Sequence, residues 1–150
     1  MDLSVIIVCY KGWERLTKCL EALDAFILQS FTMEVIVVDN NSGDGRIDDI
    51  ESKFTSFRFI RSPINGGYAF GCNAGAAGAA GDILLILNPD TIVEEEAMGK
   101  LLQHAKAHPE YSIISCRQVG ENGREQRVVG KFPGMSEKVI SKRQFITILP

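Results

Sequence analysis

The sequence has no surplus of positive charge, and this limits the partners it can bind. Its 16 lysines and arginines are outnumbered by 19 aspartates and glutamates, which gives a formal net charge of −3. Proteins that bind nucleic acids through the phosphate backbone need clustered cationic side chains. We therefore expect no nucleic-acid partner.

Long apolar runs are also missing. The longest, such as residues 83–87, are far shorter than the roughly 20 residues needed to cross a bilayer. Residues 1–4 lack the charged start and the cleavage site of a signal peptide. We expect no transmembrane segment and a cytoplasmic location. Peripheral contact with the inner face of a membrane would use Lys138, Lys142 and Arg143.

The four cysteines form no Cys-x-x-Cys pair, so neither a zinc site nor a redox-active pair is expected. Cys9 and Cys116 lie in apolar runs and are predicted to be core residues. His104 and His108 share one face of a predicted helix, but no third ligand lies near them in sequence. We predict solvated histidines and the free thiols typical of a reducing cytoplasm.

The glycine patterns of two common nucleotide-binding loops are absent. A dinucleotide-binding loop needs GxGxxG between the first strand and the first helix, whereas residues 9–13 contain one glycine. A GxxxxGK[ST] loop is missing as well. Both absences disfavour a Rossmann-like oxidoreductase domain, which stays the least favoured alternative.

What the chain does have is an alternation of apolar strands and amphipathic helices over residues 4–116. Apolar runs predict buried strands, and apolar residues at three- and four-residue steps predict helices. Strands are predicted at 5–9, 35–38, 57–60, 83–87 and 112–116. The first helix is predicted at 12–28, and the second runs from a cap within 42–44 to residue 54. The third helix contains the glycines at 71, 75 and 78 and ends at Gly81, and the fourth follows a cap at Asp90 or Thr91. This pattern predicts an α/β fold, with a mostly parallel sheet and helices on both faces. Beyond residue 116 we predict a turn at 120–123 and a helix within 135–150.

Polar residues follow three of the predicted strands. These segments are Cys9-Tyr10, Asp39-Asn40-Asn41 and Asn88-Pro89-Asp90. Open α/β sheets bind their ligands at the carboxyl ends of the strands. A carboxylate at such an end, like that of Asp90, is well placed to hold a divalent cation. The three segments together predict a nucleotide-sugar site.

Four segments of the chain resemble family 2 glycosyltransferases of the GT-A (Rossmann-like) fold, in particular their rhamnosyltransferase-like branch. These segments are residues 4–10, 37–45 and 65–75, and Asn88-Pro89-Asp90. The resemblance covers about residues 3–130. It depends on all four segments occurring in this order and at these spacings.

The resemblance implies roles for the strand ends. Asp39 would accept a hydrogen bond from the imide N–H of uracil or thymine, which suits a carboxylate because it has acceptors only. Asp90 matches the last position of the family's DxD motif and would hold Mn²⁺ or Mg²⁺ against the donor diphosphate, while Asn88 replaces the first aspartate. Cys72 stands where many members have arginine. The predicted donor-binding residues are Cys9, Tyr10, Asp39, Asn65, Gly67, Tyr68, Asn73, Asn88 and Asp90.

Each of these segments also has a purely structural interpretation. Asp39 would cap the second helix, and Asn88-Pro89-Asp90 would serve only as a turn and a helix start. The glycines of residues 65–75 would allow close packing of a helix on the sheet. Glu94–Glu96 are predicted to be a solvated helix start.

The resemblance further implies an inverting transfer from a nucleoside-diphosphate sugar, with dTDP-rhamnose as the leading donor, to a saccharide or a lipid-linked saccharide. The family's general base lies downstream of the DxD motif, and the glutamates after Asp90 lack its surroundings. The catalytic residue therefore stays unknown. We expect residues 1–150 to form the nucleotide-sugar-binding part of a GT-A domain, without the acceptor-binding part. A non-catalytic nucleotide-sugar-binding module is the main alternative.

Overall fold

The structure is a computed structural model, and it describes residues 1–28, 30–120, 122–126 and 147–148. The chain divides into two compact units, residues 1–102 and residues 103–150, which are described separately. Among the described residues, no helix is long and apolar enough to cross a membrane.

A four-stranded parallel sheet forms the centre of the first unit. Its strands β1 (Leu3–Cys9), β2 (Met33–Asp39), β3 (Arg58–Arg61) and β4 (Ile83–Leu87) lie in the order β3-β2-β1-β4. Every neighbouring pair is parallel. β1 is buried at all its positions, which explains its uninterrupted apolar run.

Helices cover both faces of this sheet. On one face, α1 (Trp13–Asp24) and α2 (Arg46–Lys53) share a hydrophobic core with β1, β2 and the first turns of α4 (Glu95–Ala107). On the other face, α3 (Tyr68–Ala76) packs against β1 and β2. The α/β fold with helices on both faces is therefore confirmed.

α3 lies close to the sheet because two of its residues are glycines. A Cβ atom at Gly71 would come within 2.6 Å of Val8, and one at Gly75 would come within 2.5 Å of Ile6. Neighbouring atoms do not tolerate such distances, so a side chain at either position would push the helix away. The glycine-rich segment therefore does serve close helix–sheet packing.

The ends of α1 and α4 differ from the prediction. α1 ends at Asp24 and not near Leu28, because Leu28 has a φ of 44°. The N–H groups of Ile27 and Leu28 each donate to the carboxylate of Glu95, at 2.9 Å. Since α4 begins at Glu95, neither Asp90 nor Thr91 caps it. Glu94 and Glu96 are exposed, as predicted, whereas Glu95 is partly buried.

The ends of α2 and α3 also differ. α2 begins after Gly45, which has a φ of 73° and makes no side-chain cap. From the predicted cap segment 42–44, Asp44 Oδ1 accepts the N–H of Arg46, the first residue of α2, at 3.2 Å. α3 ends at Ala76, so Gly81 does not terminate it. The N–H of Gly81 donates instead to Ser4 Oγ at 2.8 Å, beside the backbone of β1.

The described part of the second unit contains two small pairs of strands. β5 (Ser115–Cys116) pairs in parallel with β8 (Thr147–Ile148), and β6 (Gln118–Val119) pairs antiparallel with β7 (Glu125–Gln126). The predicted strand at 112–116 is thus reduced to two residues and does not belong to the four-stranded sheet. Its apolar run is not a buried one, since Ile113 is 76% exposed.

Other predictions for this unit have mixed outcomes. The turn at 120–123 is confirmed, since the N–H of Gly120 donates to the carbonyl of Arg124 at 2.8 Å. Cys116 is exposed and is not a core residue. Thr147–Ile148 form a strand, and the rest of the predicted helix at 135–150 lies outside the described residues. So does the basic group, which comprises Lys138, Lys142 and Arg143.

The two histidines interact with each other and with a carboxylate, which differs from the predicted solvated pair. Their ring centroids lie 4.2 Å apart, and His108 Nδ1 lies 3.0 Å from Glu110 Oε1. Among the residues that the structure describes, His104 Nε2 is buried without a hydrogen-bond partner.

Candidate functional site

The carboxyl ends of β1, β2 and β4 meet at one edge of the sheet. Cys9 is level with Asp39, and Ile7 is level with Leu87. The three polar segments that follow these strands therefore begin within about one residue of each other along the sheet. This is the edge at which open α/β sheets bind ligands.

Two loops at this edge contain backbone conformations that residues other than glycine rarely adopt. Lys11 has a φ of 57° and Asn41 a φ of 61°. Such conformations cost roughly 1–3 kcal/mol each and are concentrated at functional sites. Contacts with neighbouring residues must therefore hold the two loops in these conformations.

Asp39 and Ser42 form the buried centre of these contacts. Asp39 Oδ1 accepts the Ser42 hydroxyl at 2.5 Å and the Ser42 N–H at 3.0 Å. The Ser42 Oγ in turn accepts the N–H of Lys11 at 3.0 Å. Asp39 therefore does not cap α2; it ties the two loops together through Ser42. Its other oxygen, Oδ2, makes no hydrogen bond within the described part of the chain.

Asn40 provides a second acceptor at this edge, one that the sequence interpretation missed. Its Nδ2 donates to Asn65 Oδ1 at 2.9 Å, and the same oxygen accepts the N–H of Gly67 at 3.2 Å. Because the Gly67 N–H can only donate, this contact fixes the orientation of both amides. Asn40 is 3% exposed, and its Oδ1 is buried without a partner among the described residues.

Tyr68 joins the start of α3 to the end of β4. Its hydroxyl donates to Asn88 Oδ1 at 2.9 Å. Burial raises the pKa of the Tyr68 phenol, and the nearby groups of Cys72 and Asp90 raise it further. Burial also raises the pKa of the Cys72 thiol. Tyr68 therefore stays a neutral hydrogen-bond donor at neutral pH.

Asp90 is the exposed carboxylate of the site. Its side chain is 53% exposed, and Oδ2 lies 3.8 Å from Arg15 Nη1. In the described residues no group of three or more potential ligands could hold a metal by itself. Mg²⁺ and similar hard cations are nevertheless held by one or two carboxylates together with substrate phosphates and waters. Asp90 fits that arrangement, and Asn88 Oδ1 beside it accepts the Tyr68 hydroxyl.

A cavity of about 310 Å³ lies beside the turn from β1 to α1. Lys11, Arg15 and Arg46 bring three cationic groups to it, and Glu14 brings one anionic group. Asp44 closes the turn, because its Oδ2 accepts the indole N–H of Trp13 at 2.8 Å. The edge of an acidic chain thus contains a local group of positive charges, which favours anionic ligands.

The remaining predicted donor-binding residues lie around this edge with different exposures. Cys9 is fully buried, and burial raises the pKa of its thiol to about 11. Tyr10 is 51% exposed, with Lys11 Nζ 5.3 Å from the centre of its ring. Gly67 has a φ of 84° and precedes α3. Asn73 is exposed on α3, and no side-chain contact within the described residues joins it to the others.

Comparison with known proteins gives relatives of one kind. The sequence model of Glycosyl transferase family 2 matches residues 4–149. The chain is 36% identical over 119 residues to YfnE, an uncharacterized glycosyltransferase of Bacillus subtilis, covering 77% of this chain and 29% of that protein. It is 23% identical over 115 residues to the poly-beta-1,6-N-acetyl-D-glucosamine synthase of Staphylococcus epidermidis, covering 75% and 27%.

Solved structures give the same result. S. aureus TarS 1–349 in complex with UDP-GlcNAc superimposes with a TM-score of 0.69 at 25% identity, over 83% of this chain and 36% of that one. The chain thus spans about a third of the length of these relatives. The sheet, the helices on both faces and the match over residues 4–149 agree, and the chain belongs to glycosyl transferase family 2.

Proposed function

We propose that this chain binds the nucleoside diphosphate of a sugar donor at the carboxyl edge of its sheet, as the donor-binding part of an inverting glycosyltransferase. The observation that carries the proposal is a pair of adjacent acceptors at the end of β2. Asp39 Oδ2 and the buried Oδ1 of Asn40 have no partners in the described part of the chain. A buried acceptor without a partner, such as Asn40 Oδ1, is rare, and a ligand that donates hydrogen bonds at this edge would satisfy it.

The imide N–H of uracil or thymine, the one ring N–H of these bases in a nucleotide, is the donor that complements Asp39 Oδ2. A carboxylate oxygen can only accept, so it favours a base that presents an N–H there. The exposed ring of Tyr10 offers a surface on which the base would stack. Asn65, Gly67, Tyr68 and Asn73 would border the base and the ribose.

The diphosphate would lie between the end of β4 and the cationic group. Asp90 would hold Mn²⁺ or Mg²⁺, and the bound ion would neutralise charge on the leaving diphosphate. Asn88 would act indirectly, by holding the Tyr68 hydroxyl in place. We assign no catalytic base to the described residues.

The donor and the acceptor are proposed from the relatives and the resemblance. dTDP-rhamnose is proposed from the resemblance to the rhamnosyltransferase-like branch, and the UDP-GlcNAc held by TarS makes a UDP-sugar the second candidate. A saccharide or a lipid-linked saccharide is the proposed acceptor. The free thiols of the chain favour a cytoplasmic location, and contact with the inner face of the membrane is part of the same proposal.

Calorimetric titration of the chain with UDP and dTDP, each with and without Mn²⁺, tests the proposal. Asp39→Ala and Asn40→Ala should each weaken binding about tenfold or more, because Asp39→Ala removes the acceptor of the imide N–H and Asn40→Ala removes the adjacent buried acceptor. Asp90→Ala should abolish the gain that Mn²⁺ gives. Asp82→Ala, an exposed aspartate at the opposite end of β4, is the matched control and should bind as the unchanged chain does. Equal affinities for all four variants would contradict the proposed site.

Two alternatives give different results. A non-catalytic binding module would bind the nucleotide sugar without hydrolysing or transferring it when an acceptor is supplied. An oxidoreductase domain would bind NADH in preference to UDP, which a fluorescence titration measures directly.

A further inference from the structure

Ser42 lies where the two loops at the carboxyl edge come together. It is 5% exposed, and Asp39 beside it is 7% exposed. Lys11 lies 31 residues away in the chain, yet its N–H donates to the Ser42 hydroxyl. In the described residues, this hydroxyl is the one side-chain group that contacts both Asp39 and the loop after β1.

The direction of each hydrogen bond follows from the chemistry of a hydroxyl group. Ser42 has one hydroxyl proton, and Asp39 Oδ1 at 2.5 Å is an acceptor, so the proton is directed to the carboxylate. The lone pairs of the same oxygen then accept the N–H of Lys11. The backbone N–H of Ser42 adds a second bond to Asp39 Oδ1.

These contacts orient the carboxylate of Asp39. Two donors from one residue hold Oδ1, and both residues are less than a tenth exposed. Hydrogen bonds to an ionised carboxylate are about twice as strong as those between neutral groups. Oδ2 is therefore left in one fixed direction as the free acceptor.

The same hydroxyl also fixes the loop that carries the exposed ring of Tyr10. Lys11 follows Tyr10 and has a φ of 57°, a conformation that costs free energy unless neighbouring contacts hold it. The Ser42 oxygen supplies that contact to the Lys11 N–H. The Ser42 side chain thus fixes the position of both the Asp39 acceptor and the loop that carries the Tyr10 ring.

We propose that Ser42 is the positioning residue that makes this site select a base with an imide N–H, uracil or thymine, over cytosine. The inference rests on the proposed function. Cytosine presents an acceptor nitrogen where uracil presents an N–H, so a fixed carboxylate oxygen repels it. A carboxylate that is free to rotate would lose this discrimination.

The test compares the dissociation constants for UDP and CDP by calorimetry, in the 150-residue chain and in three variants. Ser42→Ala should lower the preference for UDP over CDP about tenfold or more, since it removes a hydrogen bond to a charged group. Ser42→Thr keeps the hydroxyl and should keep the preference. Ser52→Ala, on the exposed face of α2, is the matched control and should change nothing.

The outcomes separate this inference from the proposed function. If the unchanged chain binds neither nucleotide, the proposed function fails. If the unchanged chain prefers UDP and folded Ser42→Ala prefers it equally, the positioning role is overturned while the proposed function stands. Equal binding of UDP and CDP by the unchanged chain would also overturn the positioning role of Ser42. Should Ser42→Ala not fold, Ser42→Cys, with a weaker donor of similar size, should show a reduced preference, and a full preference would contradict the inference.

Discussion

At the scale of single residues, the two oxygens of the Asp39 carboxylate have different tasks. Oδ1 holds Ser42, and through it Lys11, while Oδ2 makes no contact within the described chain. Asp39 can therefore hold the two loops together with one oxygen and accept a hydrogen bond from a ligand with the other. Asn40 next to it repeats the pattern, because its Nδ2 donates to Asn65 while its buried Oδ1 has no partner among the described residues.

The buried thiols predict how stability depends on pH. Burial raises the pKa of Cys9 to about 11 and that of Cys19 to about 12. Unfolded thiols ionise at about pH 8.5, so between about pH 9 and 11 the folded chain binds more protons than the unfolded chain. The free energy of unfolding therefore decreases as the pH rises through this range.

Urea unfolding at pH 8 and at pH 10 measures this effect. The loss of stability between the two pH values should be larger in the unchanged chain than in the variant Cys9→Ala/Cys19→Ala, which lacks both thiols. Equal losses in the two proteins would show that these thiols do not titrate as their burial requires.

The sequence predicted some of the site and missed the rest for a physical reason. Apolar runs locate the strand ends, so the positions of Asp39 and Asp90 at the edge follow from local pattern alone. The tasks of Ser42 and Asn40 depend on contacts with Lys11 and Asn65, which lie 31 and 25 residues away. Local pattern contains no information about such pairs. The two adjacent amides after Asp39 were the available signal.

At the scale of elements, Glu95 shows how one distant contact ends a helix. The apolar pattern continues to Leu28, but α1 stops at Asp24. Two successive N–H groups, those of Ile27 and Leu28, bind the Glu95 carboxylate instead of continuing the helix. The sequence correctly predicted the charge of Glu95 near the start of α4. Its partners, Leu28 and Ile27, lie 67 and 68 residues away and could not be predicted.

Replacing Glu95 should therefore destabilise the first unit. Glu95→Ala removes the acceptor of one exposed and one partly buried N–H group and should lower the free energy of unfolding by about 1–3 kcal/mol, because both hydrogen bonds are made to a charged group. Glu95→Gln keeps one acceptor oxygen and should cost less. Urea unfolding measures both changes. Glu94→Ala, its exposed neighbour, is the control, and a loss as large as that of Glu95→Ala would contradict the role of this contact.

The strands also show what the local sequence pattern can and cannot predict. The four strands of the large sheet were predicted from their apolar residues, but burial on both faces explains the continuous apolar runs of β1 and β2 only. In β4, Leu84 and Ile86 are 47% and 43% exposed. The predicted strand at 112–116 failed because Ile113 is exposed, so its apolar run reflects no buried position. Apolar sequence alone does not distinguish these two cases.

At the scale of the whole molecule, charge is distributed to suit an anionic ligand. The chain is acidic overall, with a net charge of −3. Lys11, Arg15 and Arg46 nevertheless line one cavity beside the edge that contains Asp39 and Asp90. We therefore expect the proposed nucleotide binding to weaken as salt rises, because exposed charges are screened.

The most direct test of the proposed site is a thermal-shift series on the 150-residue chain with UDP, dTDP, GDP and NADH, each with and without Mn²⁺. A ligand at 100 times its Kd adds about 2.7 kcal/mol to the free energy of unfolding, which corresponds to roughly 5–11 °C in Tm for a domain of this size. We predict that UDP or dTDP raises Tm, that Mn²⁺ enlarges the rise, and that NADH and GDP have little effect. No rise with any of these nucleotides would contradict the proposed donor site.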